Sequence, residues 1–372
     1  MHQLRIAQVT EYYYPHLGGI CEHVHFLARE GRRRGHHVDI ITSNLDGATP
    51  RPDVIRLGQS VPVYSNGSMA RITVGRDLRR QMRSVLAAGR YDIVHVHAPL
   101  APTLPLLAVD EAPCPVVGTF HTYFDYSVGY ALGHGYFQRR LSRLAAAVAV
   151  SPTVVEAHAR YFDTDWVHIP NGVDTQAFSP SAPRPSVVRT DVPSILFLGR
   201  FDPRNGLASL IRAFKRVRSR RRPVQLVVVG DGPLRSHYRR LAAGDRDITF
   251  VGAVLGERPG YYANCSLYAC PTTKASFGIT LLEAMACATP IACTDLNGFR
   301  NVVSHEREAL LVPPGNVCSL ADAVARLLDD DALRARLGNV GRQRALAYGW
   351  PRVSEQILGL YGQILGVHRV AA

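Results

Sequence analysis

Lysine is nearly missing from this chain. Of 43 Lys and Arg side chains only Lys215 and Lys274 are lysine, so the positive charge is almost all guanidinium, the group that pairs bidentately with phosphate and carboxylate oxygens. No Cys-x-x-Cys pair occurs among the seven cysteines (21, 114, 265, 270, 287, 293, 318). That absence removes the usual metal-knuckle spacing, and an odd number of thiols in apolar surroundings points to free, buried cysteines in a reducing compartment. No uncharged apolar run reaches the ~18 residues of a membrane span; residues 98–109 come nearest and are broken by three prolines. The chain enters a strand-like segment at residues 4–9, so no signal peptide is expected and the expected setting is cytosolic. With 47% hydrophobic and 20% charged residues, disorder is excluded. At about 150 residues per domain, 372 residues make two domains, each able to bury a core.

The formal charge of +13 is uneven: residues 1–180 carry a net +2 and residues 181–372 a net +11. Such a surplus favours anionic partners, whether phosphates, nucleic acid or an acidic membrane, although an arginine-rich codon bias decorating every solvated face is an equally plain source. Nucleic acid is the weakest of these partners and is not expected. Neither a basic platform interleaved with aromatics nor a helix-turn-helix pattern is present.

Strand-like runs alternate with helix-like ones twice over. Residues 4–9, a Tyr/Pro/Gly loop, a helix over 21–34 closed by Gly35, and a strand at 37–42 form one strand–helix–strand unit. The pattern goes on through 93–97, 116–120, 146–150 and 167–169. Residues 179–193 are rich in Pro and Ser without periodicity and read as a linker. A second alternation follows, with strands at 195–198, 225–229, 249–251, 267–270, 290–293 and 309–312 and helices at 207–221, 234–242, 279–286 and 320–328. The expected architecture is α/β: two Rossmann-like domains facing across a cleft, with ligands at the carboxyl ends of the strands. The boundaries read as 1–180, a linker at 181–193, 194–350, and a terminal helix over 351–372 packing back on the first domain.

Three loops at strand ends carry the chemistry. Gly18-Gly19 precedes the first helix, where paired glycines let a ligand approach the backbone and free N–H groups meet an anion. Gly199-Arg200-Phe201-Asp202-Pro203-Arg204-Asn205-Gly206 follows the first strand of the second half. Its arginines suit phosphate oxygens and the charge that builds on a leaving diphosphate. Ser276-Phe277-Gly278-Ile279-Thr280-Leu281-Leu282-Glu283 sets one acid on an otherwise apolar helix, a position that is costly unless the carboxylate binds something. Ribose hydroxyls are suitable donors to it.

Together these loops resemble the GT-B glycosyltransferases of the large retaining family 4-like group, over essentially the whole chain. Supporting segments are Asp92-Ile93-Val94-His95-Val96-His97, Gly118-Thr119-Phe120-His121-Thr122, Ile169-Pro170-Asn171-Gly172-Val173-Asp174 and Val229-Gly230-Asp231-Gly232-Pro233. Within the group the likeness is to phosphatidylinositol mannosyltransferases, through residues 61–71, 97–102 and 120–122. The resemblance implies retention at the anomeric carbon, no metal and no cofactor beyond a nucleotide-sugar substrate, GDP-mannose or a UDP-sugar. It places Gly18, Gly19, Arg200 and Arg204 on the donor diphosphate, with Gly278 and Ile279 beside the donor and Glu283 on its ribose. His121 lies beside the transferred sugar, and Arg200 also acts in catalysis. Tyr12, Asn66, Gly67, Ser68 and Arg71 are the expected acceptor contacts.

Two positions depart from the family pattern. Asn205 stands where a lysine is usual, and Ala275 where an acid binds the donor sugar. The loss of one such polar group typically costs about 10²–10³ in rate. The acceptor side points to lipid: six arginines fall between residues 71 and 90, and residues 76–86 read as a basic amphipathic helix. Its Arg76, Arg79, Arg80 and Arg83 would meet an anionic membrane, making the protein peripheral on the inner face. A soluble small-molecule acceptor, or a degenerate chain that binds nucleotide or lipid without turnover, are the other two readings.

Overall fold

Strands buried on both faces need apolar residues throughout, not in alternation. The runs Ile93–His97, Val116–Phe120 and Gln225–Val229 come close to that, with His95, His97, Thr119 and Gln225 as their polar members, and every residue in them is buried in the computed structural model of this chain. The structure describes residues 3–16, 18–65, 68–219 and 223–367. It divides into two compact units, Met1–Asn171 together with Trp350–Ala372, and Gly172–Gly349.

In the first unit the strands are β1 (Arg5–Val9), β2 (His37–Asn44), β3 (Val54–Ser65), β4 (Ser68–Val74), β5 (Ile93–His97), β6 (Val116–Phe120), β7 (Ala146–Ala149) and β8 (Trp166–His168). They form one sheet in the order β4-β3-β2-β1-β5-β6-β7-β8. All neighbours are parallel except β3 and β4, an antiparallel hairpin in which Pro62 stands opposite Arg71. Residues 61–71, which carry part of the resemblance and the expected acceptor contacts, are therefore mostly ladder. In the second unit, β9 (Ser194–Leu198), β10 (Gln225–Val229), β11 (Ile248–Gly252), β12 (Leu267–Cys270), β13 (Ile291–Thr294) and β14 (Ala309–Val312) make a fully parallel sheet, β11-β10-β9-β12-β13-β14.

The chain passes between units at Asn171/Gly172, earlier than expected, and back at Gly349/Trp350. The Pro/Ser-rich segment is no free linker. Gln225 Nε2 donates to Val187 O at 2.8 Å and Asn264 Nδ2 to Ala182 O at 2.9 Å, while Val188 is buried. Side-chain amides thus satisfy carbonyls that lack a ladder, and the segment lies on the second unit. The helix Trp350–Leu365 presents Trp350, Val353, Ile357, Leu358 and Tyr361 at helical spacing, and these pack against Leu4, Ile6, Val24 and Leu27 in the core of the first unit.

The helix Leu78–Gly89 has its apolar face in the core: Leu78, Met82 and Leu86 sit among Ile41, Val94, Val96 and Leu104. That face is unavailable to a membrane, contrary to an inserting amphipathic helix. Its arginines point outward, but Arg79 and Arg83 bridge to Glu111 and Arg80 to Asp77. Among the described residues no helix is long and apolar enough to cross a membrane. All seven cysteines are free, five of them buried.

Both tryptophans, Trp166 and Trp350, belong to the first unit, so their fluorescence reads its unfolding alone. Ile357→Ala should lower that unit's stability by about 2–5 kcal/mol, through lost burial plus the cavity left behind. Urea titration followed by tryptophan emission measures it, and an unchanged midpoint would mean that the terminal helix adds nothing to that core.

Candidate active site

In an open α/β sheet ligands bind outside the carboxyl ends of the strands, where the order reverses. In the first sheet that point is β1, flanked by β2 and β5; in the second it is β9, flanked by β10 and β12.

In the first unit, Tyr12, Gly18 and Gly19 leave β1. Gly18 is extended, its carbonyl accepts from Glu22 N at 3.1 Å, and a Cβ on it would enter open space, so the backbone at the head of the helix Gly19–Arg33 can be approached closely. The Tyr12 ring lies edge-on to His16 at 4.6 Å. His121, one residue past β6, is half-buried, with its Nε2 3.1 Å from His97 Nδ1. The His23 ring stands edge-on to it at 4.9 Å. Burial, helped by the neighbouring imidazoles, holds His97 and His121 well below the usual histidine range, and burial pushes His23 down to about 4. These rings are neutral at neutral pH. Arg71 on β4 is engaged, Nε donating to Ser60 Oγ at 2.7 Å and a terminal nitrogen to Ser60 O at 3.1 Å. Asn66 and Gly67 lie outside the described residues, and so does the side chain of Ser68.

In the second unit the two expected donor loops meet. Arg204 O accepts from Thr273 N at 2.8 Å and Thr273 Oγ1 at 3.2 Å, which ties residues 199–206 to residues 271–278. Gly206 takes φ +73°, and a Cβ there would stand 2.1 Å from Pro271 O, so no other residue fits. Asn205, in place of a cation, donates Nδ2 to Arg200 O at 2.8 Å and braces the loop from inside. The Arg200 guanidinium is partly exposed and pairs with Asp202 at 3.1 Å. Gly278, at φ +111°, opens the helix Ile279–Ala286. Glu283 lies on that helix at 1% exposure, yet its carboxylate is not left waiting for a ligand. Arg258 donates to Oε1 at 2.8 Å and the Tyr262 hydroxyl to Oε2 at 2.9 Å. The cost of burying this acid is offset within the protein, so its burial alone does not call for a ribose.

A family model described as Glycosyltransferase Family 4 matches residues 17–177, and one described as Glycosyl transferases group 1 matches residues 192–330. The chain is 34% identical to a phosphatidyl-myo-inositol mannosyltransferase of Mycobacterium tuberculosis (strain ATCC 25618 / H37Rv), over 98% of each chain. It is 30% identical to a D-inositol 3-phosphate glycosyltransferase of Xylanimonas cellulosilytica, over 93% of this chain and 92% of that one. Among solved structures, sucrose-phosphate synthase from Thermosynechococcus elongatus superposes with a TM-score of 0.77 at 25% identity, covering 97% and 99% of the two chains. The chain belongs to the GT-B glycosyltransferases.

The glycosyltransferase also holds groups to which the motifs assigned no role. His95 and His97 alternate along β5 and so share a face, stacked 4.5 Å apart. His97 Nε2 lies 2.6 Å from Gln8 Oε1, and His23 Nδ1 lies 2.9 Å from Asn171 Oδ1. The His-x-His spacing was the visible signal. Nothing in the sequence ties Arg258 or Tyr262 to Glu283.

The neutral imidazoles make the enzyme's first unit acid-sensitive. His23 and His158 sit near 4 against an ordinary 6.5, each mainly through burial. Between those values the unfolded chain binds protons that the folded chain refuses, so stability falls as pH falls from 6.5 toward 4. Each such ring contributes at most about 1.4 kcal/mol per pH unit. Glu11, whose carboxyl is raised by burial, opposes them as a single group. The urea midpoint of tryptophan emission should drop between pH 7 and pH 5; a flat profile would refute neutral burial.

Proposed function

We propose that the enzyme transfers mannose from GDP-mannose to a phosphatidylinositol-like lipid, with retention at the anomeric carbon and without a metal. The observation that carries this reading is the full-length 34% identity to a mannosyltransferase named for that acceptor. In the second unit, Arg200 and Arg204 would meet the diphosphate, and the backbone at Gly278 and Ile279 would face the donor. Glu283 would take the ribose hydroxyls while keeping Arg258 and Tyr262 as its braces. In the first unit, Gly18 and Gly19 would offer amides to phosphate oxygen, and His121 would stand beside the sugar. Tyr12, Asn66, Gly67, Ser68 and Arg71 would receive the acceptor, Arg71 on condition that it leaves Ser60. The sugar–phosphate C–O bond breaks, the acceptor hydroxyl bonds to the same face of the anomeric carbon, and its proton passes to the departing phosphate. Guanidinium already in place meets the growing charge.

A membrane-associated acceptor is supported by a different surface from the one the sequence suggests. Tyr126, Val128, Leu132 and Tyr136 are each exposed in the segment between β6 and β7, Leu132 to 86%, with Arg139 and Arg143 close behind in the chain. Exposed apolar side chains followed in the chain by arginines suit an anionic lipid surface at the inner face of a membrane. The second reading, a soluble acceptor, is favoured by the likeness to an enzyme named for D-inositol 3-phosphate. Both names share an inositol phosphate; the lipid tail, and with it a phosphodiester in place of a monoester, separates them.

The enzyme should release GDP from GDP-mannose when given phosphatidylinositol vesicles, and Arg200→Ala should lower kcat/KM by about 10²–10³. Turnover with inositol 3-phosphate but not with vesicles would shift the acceptor to the soluble class. No nucleoside diphosphate released from GDP- or UDP-sugars with either acceptor would sink the activity. Ala275→Glu with Asn205→Lys should raise the rate if the chain is a weakened catalyst.

A further inference from the structure

Three imidazoles converge in the first unit: His23 from the helix Gly19–Arg33, His97 at the end of β5, and His121 just past β6. One ring nitrogen from each lies within 4.8 Å of the other two. The surrounding hydrogen bonds decide which nitrogens face inward. His97 Nε2 donates to the Gln8 amide oxygen, which leaves Nδ1 with a lone pair directed at His121. His23 Nδ1 donates to the Asn171 amide oxygen, which leaves Nε2 as the lone-pair atom. That Nε2 is buried and has no hydrogen-bond partner. If the cluster is only a hydrogen-bonded one, His121 Nε2–H satisfies His97 and leaves His23 Nε2 stranded, at a cost of about 1–3 kcal/mol.

We propose that His23, His97 and His121 form a binding site for a late first-row divalent cation, zinc before others. Three neutral imidazoles, two of them oriented by carbonyl oxygens on their far nitrogens, are the ligand set and outer shell that such ions take. Magnesium and calcium, which need oxygen ligands, do not fit. With metal–nitrogen distances of about 2.0–2.1 Å, tetrahedral ligand nitrogens stand roughly 3.4 Å apart. His97 and His121 are already at 3.1 Å, and the remaining approach is on the order of an ångström, within reach of ring rotation at His121, the least buried of the three. The open side at His121 leaves the fourth position to water. The shell continues outward, with His95 held between the Tyr361 hydroxyl and Thr119 Oγ1.

An ion here occupies the nitrogen of His121, so it would inhibit transfer, not assist it. That consequence rests on the place given to His121 beside the sugar; binding of the ion does not. The test uses the full, untagged chain, stripped with chelator and titrated with Co²⁺ in the presence of Mg²⁺. One equivalent should give the absorption of tetrahedral cobalt with no thiolate charge-transfer band, and one equivalent of Zn²⁺ should displace it. His121→Ala should abolish the signal, Asn171→Ala should weaken affinity about 10–100-fold, and Cys318→Ser should change nothing. Circular dichroism of each variant checks that it is folded. Absence of a stoichiometric cobalt band in the wild-type chain overturns the site. So does a thiolate band, or His121→Ala binding as tightly as wild type. Zinc bound at one equivalent with transfer undiminished would uphold the site and instead remove His121 from the sugar.

Discussion

The reversal of strand order at β1 and at β9 is the constraint from which the other features follow. At each reversal neighbouring strands send their connections to opposite faces, so the carboxyl edge is left open between them. In the second unit that edge receives residues 199–206 and 271–278, and one carbonyl, that of Arg204, accepts from both the amide and the hydroxyl of Thr273. Without parallel pairing of β9 with β12 those loops would not be adjacent. Gly206 would then exclude a side chain by its positive φ alone and no longer by the Pro271 carbonyl. In the first unit the same edge collects Tyr12, Gly18, His97 and His121 from three different strand ends.

Burial shapes the two edges in opposite ways. In the first unit imidazoles are stripped of water and kept uncharged, so they act as hydrogen-bond and lone-pair groups. In the second a carboxylate is kept buried by an arginine and a tyrosine hydroxyl placed on its two oxygens. A buried acid with both oxygens engaged is a rigid group, suited to orienting a ligand and poorly suited to moving a proton. The guanidinium of Arg200, by contrast, is exposed enough to exchange Asp202 for another anion.

Much of this was legible in the chain because buried parallel strands are written as short apolar runs between Gly and Pro. The strands Ile93–His97, Val116–Phe120 and Leu267–Cys270 fall where the pattern puts them, and so does the apolar helix Ile279–Ala286. The hairpin β3–β4 was not, since its apolar residues are interrupted by polar ones, Gly58 and Pro62, and the pairing that makes them strands is set by register with each other. The helix Asp331–Leu346 buries Gly338 and Gly341 against Ala288 and Met285, so its inward face is small as well as apolar and gives little periodic signal. Among site residues, the loops show themselves by glycine and arginine. Gln8, Arg258 and Tyr262 act through contacts between distant segments, and no local spacing announces them; Asn171 lies in a quoted motif, but nothing local ties it to His23.

The loops at residues 199–206 and 271–278 also explain how two departures from the family pattern can sit in an otherwise intact scaffold. Their shape is held by backbone: Gly206 against the Pro271 carbonyl, Gly230 against the Gly199 carbonyl, Gly298 against the Ala275 carbonyl, each too close for a Cβ. Position 275 enters that framework through its carbonyl, so its side chain can change from acid to methyl without moving the loop. Position 205 does take part, but through an amide to Arg200 O, a bond that a lysine ammonium could also donate. Fold and site chemistry are therefore separable at these positions. Glycines fix where the loops run, and residues 205 and 275 can alter the charge of those loops without altering their course.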